Sequence, residues 1–339
     1  MTQANVANKS RRWLAPEVVQ TSAMDCGPAA LTCLLGGFHI PVSYGRLREA
    51  CQTDVDGTSI DTIEVVANQL GVAVEQMMLP IDHLFLSAAD TLPAVMVVRH
   101  GAGATHFVVV WRRQGNWLQV MDPSVGRRWV RCEKFSQEIF RHSQSVPAAQ
   151  WRAWAATDDF LRPLRQRMAA IGATATDASA LISTAQRDSG WFTFGALDAA
   201  TRLVQSVVAA DGIKAGAKAV KLLTALFEQT CSSTLDIHTL LPADYWSATP
   251  DPASPDAENQ HLILRGAVLL RVAGRGPGED LIGASPVEEP LILSPELKAA
   301  VTEKPPHPVR TIWDLLRQDG ILTPLAVLGA MTIAVGVTL

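Results

Sequence analysis

The pattern of apolar and polar positions divides the chain into four stretches. Residues 1–147 mix helical and strand periods. Ala29 to Leu35 is a run of strong helix formers preceded by Pro28, which suits a first turn, and Ser22-x-x-Asp25 is a candidate capping box. A helix is expected there, with Cys26 at its N-terminus. Thr58 or Ser59 is placed to cap a second helix, Ile60 to Leu70. Phe107–Trp111 and Trp117–Met121 are apolar strands around a Gly-Asn turn signal, and so predict a hairpin. A turn centred near Gln114 and Gly115 sets His106 opposite Asp122 at the open end.

Residues 148–240 read as a helical insert. From Trp151 to Cys231, Ala, Leu, Arg and Lys recur at three- and four-residue spacing, and Lys214, Lys218 and Lys221 form a solvated face. Residues 241–310 read as a Pro-rich linker in which HLILRGAVLLRV supplies one or two strands. Residues 311–339 read as a juxtamembrane helix and a transmembrane segment, because Gly320 to Leu339 carries no charge and is long enough to span. The competing reading of that run is a buried terminal helix or strand. Arg310 and Arg317 precede it, and the positive-inside tendency would keep the preceding domain cytoplasmic.

Composition narrows the function classes. A chain of 339 residues with 48% hydrophobic content is folded and has room for two domains. Its net charge of -4 gives no footprint for nucleic acid, so none is expected as a partner. Gly274 to Gly278 (GRGPG) lacks the Lys and Ser or Thr of a phosphate loop, so ATP hydrolysis by this chain is not expected. His238, His261 and His307 lie too far apart for zinc spacing, and no metal is expected. The five cysteines show no CxxC, and no signal-peptide core follows the polar N-terminus. Both facts favour reduced thiols.

A thiol at a helix N-terminus is a candidate nucleophile, because unpaired N–H groups and the helix dipole favour the thiolate. Cys26 occupies such a place, whereas Cys33 falls on the apolar side of the same helix as a core residue. Asp25 opposes the thiolate unless its carboxylate points into the cap. A carboxylate beside an imidazole fixes the tautomer and supports the imidazolium, so His106 and Asp122 fit the remaining roles of a Cys-His-Asp triad. Taken singly, Cys26 reads first as a small buried residue, His106 as a strand-end cap and Asp122 as the first residue of a turn before Pro123; the hairpin and the helix-terminal thiol together shift the reading toward catalysis.

QTSAMDCGPAALTCLL, GTSIDTIEVVANQLG, HFVVV and DPSVG together resemble the C39 family of cysteine peptidases. These are papain-like domains of bacterial peptidase-containing ABC transporters, which trim leader peptides after a double-glycine-type site and export the cargo. The resemblance implies an α+β papain-like fold for residues 1–147, with Cys26 as nucleophile, His106 as general base and Asp122 as orienting acid. It places Gln20 in the oxyanion hole and Gly57, Thr58 and Ser59 beside the leader-binding groove. No cofactor is implied for the peptidase, and ATP enters only through a nucleotide-binding domain that this chain does not contain. The implied partners are a leader-bearing precursor, the transporter's membrane and ATPase domains, and the membrane itself. The implied location is the bacterial inner membrane with the peptidase facing the cytoplasm. Residues 150–319 depart from the usual arrangement by separating peptidase from tail, so the chain reads as a transporter fragment or as a short relative served by separate subunits. A docking module without catalysis and a papain-like acyltransferase are the alternative functions.

Overall fold

The computed structural model describes residues 11–100, 103–232, 238–254, 260–276 and 293–303, with scattered positions between 313 and 332. It is an α+β protein. Helices α1 (Cys26–Gly37), α2 (Tyr44–Ala50) and α3 (Ile60–Gln69) precede strand β1 (Val72–Leu79). Strands β2 (Ala94–Arg99), β3 (Thr105–Gln114), β4 (Trp117–Asp122) and β5 (Gly126–Arg131) follow, then helix α4 (Cys132–Glu138) and strand β6 (His142–Pro147). Helices α5 (Ala148–Ala155), α6 (Asp158–Ala170), α7 (Ala175–Gln186), α8 (Phe192–Ala209) and α9 (Ala217–Ser232) make the predicted helical unit. Strands β7 (Ala248–Pro250) and β8 (His261–Arg275) and helix α10 (Pro295–Thr302) come last.

The order of the main sheet is β1-β8-β2-β3-β4-β5. The segment read as one or two strands in a linker is thus a single strand of 15 residues, placed inside the sheet that carries the candidate site. Its first half pairs with β6 and β7, and its second half with β1 and β2. Both faces of that second half are buried: Leu270 and Val272 join the core under α1 to α3, while Ala267 and Leu269 join the opposite core with Phe135 of α4. A near-continuous apolar run is what a strand covered on both faces requires. Gly266 lies at the crossover, where a Cβ would stand 2.2 Å from the Leu79 carbonyl oxygen, so the close approach of the two backbones demands glycine. Helix α10, within the stretch read as linker, places Leu297 in the α1–α3 core, and its Ala300 is also buried.

The helical unit has its own core around Trp151, Phe160, Phe194 and Leu197, and Leu262 of β8 belongs to it. Polar contacts tie it to the loop before β2. Arg202 reaches Asp82 at 2.7 Å and Asp198 at 2.9 Å, Arg167 also pairs with Asp82, and Gln166 accepts from the Ala88 N–H. Most of the predicted span from Gly320 to Leu339 lies outside the described residues, as do parts of the predicted linker. Among the described residues no helix is long and apolar enough to cross a membrane.

Candidate active site

Helix α1 begins at Cys26, as the sequence predicts, but its cap differs. Asp25 holds the N-cap position with no side-chain cap hydrogen bond, and Ser22 instead accepts from the Met24 N–H. The capping box does not form because the Asp25 carboxylate is fully buried and engaged elsewhere. It accepts from Arg48 at 2.7 Å, from Thr21 at 2.9 Å and from Tyr44 at 3.3 Å. The charge that would oppose a thiolate at Cys26 is therefore neutralised by Arg48.

The hairpin forms with a register other than the predicted one. Gln114 lies opposite Trp117 across a two-residue Gly115-Asn116 turn, and a bulge near Trp111 sets Val109 opposite Met121. Continuing that ladder places Val108, not His106, opposite Asp122. The two residues meet as diagonal neighbours, a separation long side chains can bridge. His106 Nε2 stands 2.9 Å from Asp122 Oδ1. That contact leaves Nδ1 as the ring nitrogen free to serve Cys26, whose thiol pKa the imidazole helps to lower.

Electrostatics divide the five thiols. Burial alone would raise the Cys26 pKa, but the His106 hydrogen bond and charge, with the N–H groups of Phe107 and Gly27, outweigh it and lower the value. Burial raises the other four, Cys51 to about 12 and Cys231 to about 11. Burial would also lower the imidazole of His106; its hydrogen bonds to Asp122 and Cys26 prevail and raise it to about 9. Asp122 is drawn well below the usual carboxylate range: burial opposes this, and the bonds from His106 and Ser124 override it. A thiolate–imidazolium pair over a carboxylate is the arrangement of an activated sulfur nucleophile.

Ser124 was not legible as a site residue. Its N–H and hydroxyl donate to Asp122 Oδ1 at 3.0 and 2.7 Å. The Asp-Pro-Ser tripeptide is the available signal, since an Asp side chain bonding the backbone two residues on defines an Asx turn. Arg128, held by Glu138 at 2.6 Å, stands 3.5 Å from Asp122 Oδ2. The His100 ring lies 5.0 Å from that of His106.

Gln20 is half-buried in the loop before α1, and its N–H donates to the Pro123 carbonyl at 2.9 Å, which pins it beside the turn that follows Asp122. Its side-chain oxygen is buried and unbonded. The Gly57-Thr58-Ser59 segment borders the nucleophile's helix: a Cβ on Gly27 would stand 2.9 Å from Thr58 Cβ. Ser59 is the residue that caps α3, accepting from the Thr62 N–H at 3.1 Å, while Thr58 bonds Thr53.

The Peptidase C39 family matches residues 15–141. Across 121 residues the chain is 27% identical to the lactococcin-G-processing and transport ATP-binding protein LagD of Lactococcus lactis, covering 36% of this chain and 17% of LagD. An uncharacterized protein of Methanothermobacter marburgensis is 30% identical over 129 residues, covering 38% of this chain and 86% of that protein. Among solved structures, the peptidase domain of Streptococcus ComA is 29% identical at a TM-score of 0.34, covering 37% of this chain and 92% of that one. This chain thus spans under a fifth of the length of a transport relative such as LagD. Through residues 15–141, the chain belongs to the peptidase C39 family.

Proposed function

We propose that this protein is a papain-like cysteine endopeptidase that cleaves leader peptides after a double-glycine-type site, in the service of export by an ABC transporter. The observation that carries the reading is the linked set Cys26, His106 and Asp122, with Cys26 the one thiol of five shifted toward the thiolate. Supporting it are the family match and the processing and transport role in the name of LagD.

In this mechanism the Cys26 thiolate attacks the scissile carbonyl carbon, and the carbonyl π electrons move to oxygen. The backbone N–H of Cys26, at the open end of α1, and the Gln20 amide stabilise that oxyanion. Each such donor is typically worth about 3 kcal/mol. The His106 imidazolium gives its proton to the leaving amine as the C–N bond breaks, leaving a thioester. Neutral His106 then takes a proton from water, whose oxygen displaces the Cys26 sulfur. Asp122 keeps the ring oriented through both steps, and Ser124 keeps Asp122 oriented. Gly57, Thr58 and Ser59 form one border of the substrate cleft.

The membrane and ATPase parts of the transporter belong to other segments or subunits, and the apolar stretch from Gly320 supplies the membrane attachment, with the peptidase on the cytoplasmic side. A peptide carrying a Gly-Gly leader junction, incubated with the chain and analysed by mass spectrometry, tests the activity. Cleavage after the second glycine is expected, with complete loss in Cys26→Ala. Equal cleavage by that variant would sink the assignment.

A further inference from the structure

The tip of the β3–β4 hairpin and the segment Arg11–Trp13 line a half-open cavity of about 740 Å³, whose wall also includes Asp90 from the loop before β2 and Gln166 of the helical unit. Six residues of β3 separate Arg112 from His106, about 20 Å at roughly 3.3 Å per residue, so this cavity is separate from the candidate active site. Four arginines line it: Arg11, Arg12, Arg112 and Arg113. Asp90 is the one carboxylate among the described lining residues.

These arginines differ from those that the fold pairs with carboxylates. Arg48, Arg128, Arg167, Arg202 and Arg271 are all ion-paired with carboxylates. Among the described residues, none of the four cavity arginines has a carboxylate at ion-pair distance. Tryptophans hold two of them instead, Arg11 and Arg112. The Arg112 guanidinium lies 3.1 Å from the centroid of Trp13, and that of Arg11 lies 5.5 Å from the centroid of Trp111. Arg113 is fixed by the Gly115 carbonyl at 2.7 Å, and Arg112 Nη1 by the Trp13 carbonyl at 3.3 Å. Arg112 Nε is buried with no hydrogen-bond partner. Stacking and carbonyl bonds orient the forks of Arg11, Arg112 and Arg113 without cancelling their charge.

Asp90 offsets part of the charge on Arg11, but four guanidinium groups around one carboxylate still repel each other, and a bound anion reduces the repulsion. A single carboxylate occupies one fork. A phosphate group presents three or more acceptor oxygens in different directions and can draw on several forks at once. We propose that this cavity binds a phosphate-bearing anion, either a soluble polyphosphate or the headgroup of an anionic phospholipid. The net charge of -4 gives no sign of such a site, because the fold assembles it from segments far apart in sequence.

The full chain would be titrated with tripolyphosphate by calorimetry, and floated with vesicles of phosphatidylglycerol or of phosphatidylcholine. Binding of tripolyphosphate, or of the phosphatidylglycerol vesicles alone, is expected, and which of the two binds identifies the source of the phosphate. The double variant Arg11→Gln/Arg112→Gln should weaken that binding at least about tenfold, as loss of charged hydrogen bonds does. The rate of Cys26 alkylation reports whether the variant stays folded. If that rate falls, Arg12→Gln, which leaves both stacked tryptophans in place, decides the matter in the same assay. Neither probe binding, or unchanged binding by the folded variants, would overturn the proposal.

Discussion

His106 and Asp122 are joined at 2.9 Å although they are not opposed in the β3–β4 ladder; they are diagonal neighbours on adjacent strands. Diagonal contact demands that the carboxylate lean along its strand, and Ser124 holds it there with two hydrogen bonds. Asp122→Asn should lower kcat/KM for a leader peptide about 10- to 100-fold, part of what general acid–base catalysis supplies. Ser124→Ala should give a smaller loss in the same assay. An unchanged rate in both variants would mean that the imidazole needs no orienting group.

The pH profile follows from the shifted groups. Alkylation by iodoacetamide should begin below the ordinary thiol value of 9.0, because Cys26 is shifted down. The imidazolium partner should persist until about pH 9, where the falling limb of peptidase activity is expected. Removing the Asp122 charge withdraws a group that raises the imidazole pKa, so Asp122→Asn should move that limb to lower pH. The stability contribution has the same sign. His106 is raised from 6.5 to about 9, so its contribution is complete below about 6.5 and disappears as pH rises through about 9.

Labelling should be selective. At neutral pH, Cys26 should take up iodoacetamide while Cys33 and Cys51, buried and shifted upward, stay unmodified in the folded chain. Peptide mapping after a short pulse checks this. Faster modification of Cys231, the exposed thiol, would contradict an activated Cys26.

Asp25→Ala should destabilise the fold by about 2 kcal/mol in urea unfolding, since it strips a fully buried carboxylate from Arg48, Thr21 and Tyr44. Arg48 is half-exposed and regains water, which keeps the loss below that of a fully buried broken pair. A change within 0.5 kcal/mol would show that the cluster is electrostatically idle, as exposed pairs often are.

Gly266→Val should cost about 2 to 3 kcal/mol or prevent folding, because the added Cβ would overlap the Leu79 carbonyl and force the strands apart. The adjacent Arg265→Ala serves as the comparison. Equal urea midpoints for the two variants would mean that the crossover can relax.

The site was more legible than the architecture around it. Local rules suffice for a thiol at the start of a helix and for a hairpin across Gly115-Asn116, so Cys26, His106 and Asp122 could be nominated from spacing. The register differs because the turn is centred between Gly115 and Asn116 rather than near Gln114 and Gly115; the bulge near Trp111, one extra residue on one strand, returns only one position of that offset. Local pattern reads Asp25 as the acidic partner of a Ser22 capping box, because its actual partner Arg48 lies on another helix, beyond any local pattern. The 261–275 segment showed its strand character through its β-branched and leucine content, but nothing within it says which strands it joins. Its neighbours β1 and β2 lie far upstream, and the intervening helices have the composition of an independent unit.

The position of β8 sets a clock on biosynthesis. Among the described residues, β1 is bonded in the main sheet to β8 alone, so residues 15–141 leave the ribosome with a gap where the sheet's second strand belongs. The helical unit must be translated before that gap can close, a delay on the order of ten seconds at common elongation rates. Over that interval the edges of β1 and β2 are open to chaperones or to wrong partners. A chain built this way acquires its complete sheet only after the helical unit has been made.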